Sequence, residues 1–201
     1  MIIKTLLKKS INEREKFVKQ KEILKRKKRV TKNPTKNDTF IAMAFMLSCL
    51  SKDAQTKMGC LIVNQKNHII GGGYNSFPAG CPDHELPNVR PGKYPYMIHS
   101  EANGLSYCNE RPVGATIYVT GQPCIECIKR MWQEEVACVK FCDRLANCVS
   151  SEDMKIRQHI IDMCPIDFVE FVPNLDFIID LVLDFEKLGY ISSDAMNKIR
   201  S

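Results

Sequence analysis

Thr116-Ile117-Tyr118-Val119-Thr120, the turn Gly121-Gln122-Pro123, Cys124 to Gln133 and then Ala137-Cys138-Val139-Lys140-Phe141-Cys142 are the stretches that decide the fold. The first and last are short β-branched and aromatic runs bounded by turn residues, and they read as strands. Between them, Cys124 to about Gln133 reads as a helix. Working outward, a helix over about Ser151 to Met163 and a strand over Phe168 to Val172 follow. Upstream, a helix begins near His99, and Cys60 to Val63 and His68 to Gly72 read as a hairpin across the polar turn Asn64-Gln65-Lys66-Asn67. Asp38-Thr39 offers an N-cap for an apolar helix over Phe40 to Leu50. Strands alternating with helices in this way predict an α/β layered sheet. Tyr74 to Tyr96 is rich in Pro and Gly and reads as a long loop, and loops beyond about 12–15 residues in a compact domain are usually functional or disordered. Leu175 to Ile199 reads equally as helix or strand by its periodicity.

Composition bounds the class. The chain has 201 residues, 44% hydrophobic and 26% charged, which suits one globular domain with an appendage. The charge is uneven: residues 1–37 hold 14 Lys or Arg against three Glu, a balance of +11, and residues 38–201 hold 15 basic against 20 acidic, a balance of −5. The chain is therefore expected to consist of a basic, partly helical arm over 1–37, with Lys25 to Arg29 an unbroken positive run, and a separate folded domain over 38–201. The arm reads as a solubilising or oligomer-contacting extension, with nucleic-acid attachment as its alternative. Phe40–Leu50 and Phe177–Phe185 are too short to cross a bilayer, and Met1 to Lys9 lacks the apolar core of a secretory signal. An intracellular, cytoplasmic protein without membrane contact is expected, in which ten cysteines serve burial or metal ligation and not disulfides.

Cys124 and Cys127 lie three apart, so on a helix both sulfurs share one face, and near a helix N-terminus thiolate is favoured. Alone, that pair is either a metal clip or a redox couple. His99 adds an imidazole 25 residues upstream, and Glu101 follows two residues on. Three protein ligands leave a fourth position for water, the mark of a catalytic zinc, and two thiolates with a neutral imidazole offset the ion's charge. His-x-Glu followed by Pro-Cys-x-x-Cys resembles the signature of zinc deaminases acting on nucleobases, in which the Glu shuttles protons without binding the metal.

The likeness extends beyond the metal motif. Ser51 to Gly59 (SKDAQTKMG), Gly73 to Cys81 (GYNSFPAGC), Lys93 to Asn103 (KYPYMIHSEAN) and Ile117 to Thr120 together make the chain similar to the deoxycytidylate (dCMP) deaminase family over roughly residues 38–172. That resemblance implies a three-layer α/β/α, cytidine-deaminase-like fold with a central five-stranded mixed sheet, and a homo-oligomer, often a hexamer. It implies hydrolysis of dCMP to dUMP and ammonia, feeding thymidylate synthesis. It also implies activation by dCTP and inhibition by dTTP, with Mg2+ on the effector triphosphate and part of the effector site in the Gly73–Cys81 loop. Asn75 would then contact the sugar, while Arg144 and Lys57 are candidates for the phosphate. Gly71-Gly72-Gly73 reads either as a strand end needing a permissive backbone or as a nucleotide contact.

Several positions depart from the family. Ser100 and Gly104 stand where Ala is usual. Glu135 stands where Gly often ends the helix, so a different cap is expected. Asp53 replaces a Cys that in some phage members holds a second zinc, which leaves Cys81 and His84 a poor second site.

Two rivals remain. A deaminase acting on RNA or single-stranded DNA would use the basic arm for phosphate attraction, but the body is net negative. A non-catalytic zinc-binding scaffold would have no need of Glu101.

Overall fold

The structure, a computed structural model, describes residues 33–142 and 150–200. Strand β1 (Gly59–Val63) is buried at all five positions, so it needs neighbours on both edges and cover on both faces. Antiparallel β2 (Ile69–Tyr74) flanks it on one side and antiparallel β3 (Thr116–Val119) on the other. The sheet continues in parallel through β4 (Cys138–Phe141) and β5 (Asp167–Glu170), giving the order β2-β1-β3-β4-β5. Parallel neighbours need crossover connections. Helix α3 (Ile125–Gln133) joins β3 to β4, and α4 (Ser151–Met163) lies between β4 and β5.

Successive side chains of a strand point to opposite faces. On one face, Phe40 of helix α1 (Lys36–Ser48) packs against Tyr118 with ring centroids 5.3 Å apart, and Lys140 Nζ lies 5.7 Å from the same ring. On the other, the Cys60 thiol donates to the Ser100 carbonyl of helix α2 (Ser100–Ser106) at 3.0 Å. Ile128 and Met131 of α3 are fully buried in one apolar cluster with Ile117 and Val119. The five-stranded mixed sheet between helical layers is as expected.

α2 comes close to the sheet because side chains are missing between them. A Cβ on Gly73 would lie 2.5 Å from both the Gly104 nitrogen and the Ser100 carbonyl oxygen, and one on Gly104 would lie 2.6 Å from Cys60 Sγ. This accounts for Gly104 in place of Ala. At Gly71 to Gly73 none has positive φ; Gly71 and Gly73 lie under α2 and Gly72 under Leu47, so close packing favours glycine there, while Gly72 and Gly73 also line a cavity.

Two expectations need correction. α1 begins at Lys36, before the predicted cap at Asp38; Asp38 sits instead in its first turn, where a carboxylate complements the helix dipole. Asn37 Oδ1 accepts from Tyr118 Oη at 2.7 Å and Lys140 Nζ at 3.0 Å, tying that turn to the sheet. The end of α3 is not capped differently. Glu135 itself takes the left-handed conformation (φ +59), with Glu135 N–H donating to Trp132 O and Val136 N–H to Met131 O, both at 3.0 Å. That is the bonding of a glycine-terminated helix built with glutamate.

The ambiguous C-terminal stretch forms helices α5 (Asp176–Lys187) and α6 (Ser193–Arg200). They fall outside the compact unit Lys36–Pro173. Within that stretch Gly189 (φ +76) follows α5, and Tyr190 meets Phe185 edge to face at 5.9 Å. No helix among the described residues is long and apolar enough to cross a membrane.

Candidate active site

His99 is the N-cap of α2 and Cys124 the N-cap of α3, with Cys127 in the first turn of α3. β3 ends just before Pro123, so the parallel crossover delivers the two sulfurs beside the start of α2. Cys124 Sγ lies 3.2 Å and Cys127 Sγ 3.5 Å from His99 Nδ1, and the three donor atoms all fall within 4.8 Å of one another. A tetrahedral zinc with Zn–N near 2.1 Å and Zn–S near 2.3 Å sets its donors about 3.6–3.8 Å apart. The donor set fits that ion in both chemistry and spacing. It is also the only such group of His, Cys, Asp or Glu among the described residues.

Hydrogen bonding inside the trio fixes its metal-free charge. The Cys127 thiol, followed by His99, pulls Cys124 down to about 4, while the bond to the Cys124 sulfur and burial hold Cys127 above the ordinary thiol value. The Cys124 sulfur in turn lifts His99 to about 9 against the opposing effect of burial. Cys124 is thus the ready thiolate, and a metal ion takes the places of protons on the other two.

Glu101 lies in the first turn of α2 and is 3% exposed. Burial raises its carboxyl above the ordinary glutamate value, and hydrogen bonds from its own backbone N–H and from Ser100 only partly offset this. The Ser100 hydroxyl donates to Glu101 Oε2 at 2.8 Å. Serine in place of alanine therefore adds a fixed donor to the carboxylate.

These groups open into one cavity of about 380 Å³, lined by His99, Glu101 and Cys124 together with Asn75, Arg90 and Lys93. Cavities of this size are typical of small-ligand sites. Asn75 is one of its lining residues. Its amide donates to Asp53 Oδ2 at 3.0 Å and to the Thr56 carbonyl at 2.9 Å, and its Oδ1 accepts from Met58 N–H at 2.7 Å. Asp53, the replaced zinc-ligand position, instead receives Lys93 Nζ at 2.6 Å on Oδ1 and 2.5 Å on Oδ2.

Of the two phosphate candidates from the sequence, the one that is described, Lys57, is not brought here. Lys57 donates to the Cys49 carbonyl at 3.3 Å and is not among the lining side chains, and Arg144 lies outside the described residues. The cations that do line the cavity, Arg90 and Lys93, come from the long loop, where no residue spacing singles them out. For Lys93 the signals available were its place at the start of the family-like stretch Lys93–Asn103 and the departure of Asp53 from cysteine, since a buried carboxylate calls for a cation; for Arg90 there was none.

A mixed sheet that presents His, Cys, Cys and a buried Glu at two helix starts defines the cytidine-deaminase-like class. A family profile described as "Cytidine and deoxycytidylate deaminase zinc-binding region" matches residues 34–143. The chain belongs to this family of zinc-dependent hydrolases. It is 35% identical over 157 residues to the deoxycytidylate deaminase of Pongo abelii and 34% identical over 157 residues to that of Homo sapiens, covering 75% of this chain and 85% of each relative. Among solved structures, the dCMP deaminase from the cyanophage S-TIM5 in complex with dCMP and dUMP is similar in fold, with a TM-score of 0.54, 20% identity and coverage of 67% of this chain and 95% of that one.

Proposed function

We propose that this protein hydrolyses dCMP to dUMP and ammonia, with His99, Cys124 and Cys127 holding zinc and Glu101 carrying protons. The observation that carries the reading is a buried carboxyl, Glu101, in the same cavity as two of the three metal donors, His99 and Cys124, with Cys127 beside them. The similarity to deoxycytidylate deaminases over three quarters of the chain supports the substrate.

The reaction replaces the exocyclic C4–N bond of the base with a C4–O bond. One water is consumed, a proton goes to ring N3, and another leaves with the amine as ammonia. Zinc, when bound, supplies the Lewis acidity that brings a coordinated water from a pKa of 15.7 to about 7. Glu101 accepts one water proton and delivers it to N3, then takes the proton left on the new C4 hydroxyl and passes it to the departing nitrogen. Its raised affinity for protons suits a group that must hold each one briefly. Ser100 holds one carboxylate oxygen still while the other exchanges protons. Asn75 is assigned to the sugar by the resemblance; both its donors are engaged, and the second lone pair of Oδ1 is what it offers a hydroxyl.

The same reading extends to a homo-oligomer, hexameric by resemblance, with dCTP and dTTP as effectors and Mg2+ on the triphosphate. In support, Gly73, Tyr74, residues 76–81 and Lys52 line a second cavity of about 360 Å³. The cytoplasm suits the nine described cysteines, all free thiols.

The test is ammonia release from dCMP, deoxycytidine and an oligonucleotide. Two charge-assisted contacts to a 5′-phosphate are worth about 3–6 kcal/mol, so kcat/KM for dCMP is expected to exceed that for deoxycytidine by about 10²- to 10⁴-fold. Equal values would end the dCMP assignment and leave the deaminase chemistry standing. In the same assay Glu101→Gln is expected to retain zinc and lose about 10²- to 10⁴-fold in turnover.

A further inference from the structure

We propose that Arg90, with Thr56 beside it, forms the phosphate-recognition subsite of this cavity, selecting a nucleoside monophosphate over the nucleoside. The proposal rests on the reading of the chain as a dCMP deaminase and names a group that neither the sequence motifs nor the metal site supplies.

An anion drawn into a cavity that also holds two carboxylates, Asp53 and Glu101, needs a cation that is not already neutralised. Lys93 is spent on Asp53, which it grips through both oxygens with both side chains buried. Arg90 has no acidic partner among the described ion pairs. Its Nη2 donates to Thr56 Oγ1 at 2.6 Å, while its Nε is cut off from solvent and has no hydrogen-bond partner. A buried guanidinium N–H left unpaired is costly and asks for an acceptor. The second donor in this condition, Arg157 Nη2, is not on this cavity's wall, and Arg157 Nε is directed to the Pro123 carbonyl at 3.1 Å.

Arg90 is also held in place. Its backbone N–H donates to Gln55 Oε1 at 2.7 Å, and two residues earlier the Asn88 carbonyl accepts from Ala54 N–H at 3.3 Å. The loop is thus pinned to residues 54–56 on both sides of the guanidinium. Thr56 accepts from Arg90, which leaves its own hydroxyl proton available to an anion, and Thr56 lines the same cavity. A planar guanidinium with several uncommitted N–H groups beside a hydroxyl is the donor arrangement that suits phosphate oxygens.

The experiment compares kcat/KM for dCMP and deoxycytidine in the zinc-loaded parent, Arg90→Ala and Arg90→Lys. It also measures calorimetric binding of dUMP and deoxyuridine to each. A charge-assisted hydrogen bond is worth about 10- to 100-fold, so Arg90→Ala is expected to shrink the dCMP preference by about 10²-fold or more, with Arg90→Lys between it and the parent. Binding of dUMP should weaken far more than binding of deoxyuridine. If dCMP and deoxycytidine lose the same factor, Arg90 only holds the loop and the proposal is wrong. It is also wrong if the preference survives Arg90→Ala intact. Should Arg90→Ala not fold, the same ratio in Arg90→Lys, which keeps charge and length, decides the question. A parent that does not favour dCMP brings down the substrate reading itself, whereas a parent that favours it with an unchanged ratio in the variants brings down only Arg90.

Discussion

Asp53 and Lys93 are only 2% and 3% exposed, and each is the other's counter-charge. Breaking such a pair costs more than the pair is worth, because one charge stays buried alone. Asp53→Asn is therefore expected to destabilise the fold by about 3–5 kcal/mol, read from the denaturant midpoint. A loss below about 1 kcal/mol would mean that water already reaches Lys93. The pH dependence follows from the same contact. Burial alone raises the Asp53 carboxyl, but the hydrogen bond from Lys93 and those from the Thr56 and Gln55 backbones outweigh it and hold it below the ordinary value of 3.8. A depressed folded value contributes stability that is present above 3.8 and lost as the pH falls through the folded value. The parent should show that acid loss, and Asp53→Asn should not. At this scale the metal motif was legible, because His99, Glu101, Cys124 and Cys127 sit at fixed short spacings dictated by two helix starts. Lys93 and Arg90 were not, since their partners Asp53 and Thr56 lie 40 and 34 residues away. Lys57 drew notice only as a cation near a family motif, and its contact is with Cys49.

Among the elements, α3 positions two of the three candidate metal donors, Cys124 at its N-cap and Cys127 in its first turn, and ends on a strained residue. A left-handed conformation costs a residue with a Cβ about 1–2 kcal/mol, and glycine's extra freedom in the unfolded chain returns part of that. The exposed bond from Arg111 to Glu135, at 3.2 Å, adds little. Glu135→Gly is therefore expected to stabilise the protein by about 0.5–1 kcal/mol with unchanged zinc content, measured by thermal unfolding. Destabilisation instead would show that the Arg111 contact outweighs the strain. Most elements could be read from their boundaries: Gly121 to Pro123 separates β3 from α3, and Ser150 caps α4, accepting from Asp153 N–H at 3.0 Å. The cap of α3 could not, because sequence preference reports which residue is comfortable at φ > 0 and not which residue is forced there. α5 was ambiguous because Ile178, Ile179 and Val182 favour strands while its length suits a helix. Asp176, Asp180 and Asp184, spaced at four, were the clue to the helical period.

For the whole molecule, the charge boundary at residue 37 lies close to the start of the compact unit Lys36–Pro173. Residues 1–37 carry +11 and the rest −5, and the compact unit begins at Lys36. We expect removal of residues 1–33 to leave dCMP turnover within a few-fold of the parent, since the cavity is built from residues 53–124. Removal of 1–37 should cost stability as well, because Asn37 and its bonds to Tyr118 and Lys140 go with it. Loss of activity with the first cut, in a protein that stays folded, would place the arm in the working enzyme.

The sheet order has a consequence for how the chain is made. β1 lies between β2 and β3, so the hairpin and α2 are synthesised well before β3 joins them. His99 and Glu101 therefore leave the ribosome ahead of Cys124 and Cys127, and the two halves of the metal site meet only when β3 closes onto β1. Pairings of such large sequence separation form slowly. Until then, the nascent half-domain has an imidazole and a carboxylate but no thiol clip. The complete set of three donors is therefore brought together only in chains whose β3 has joined β1.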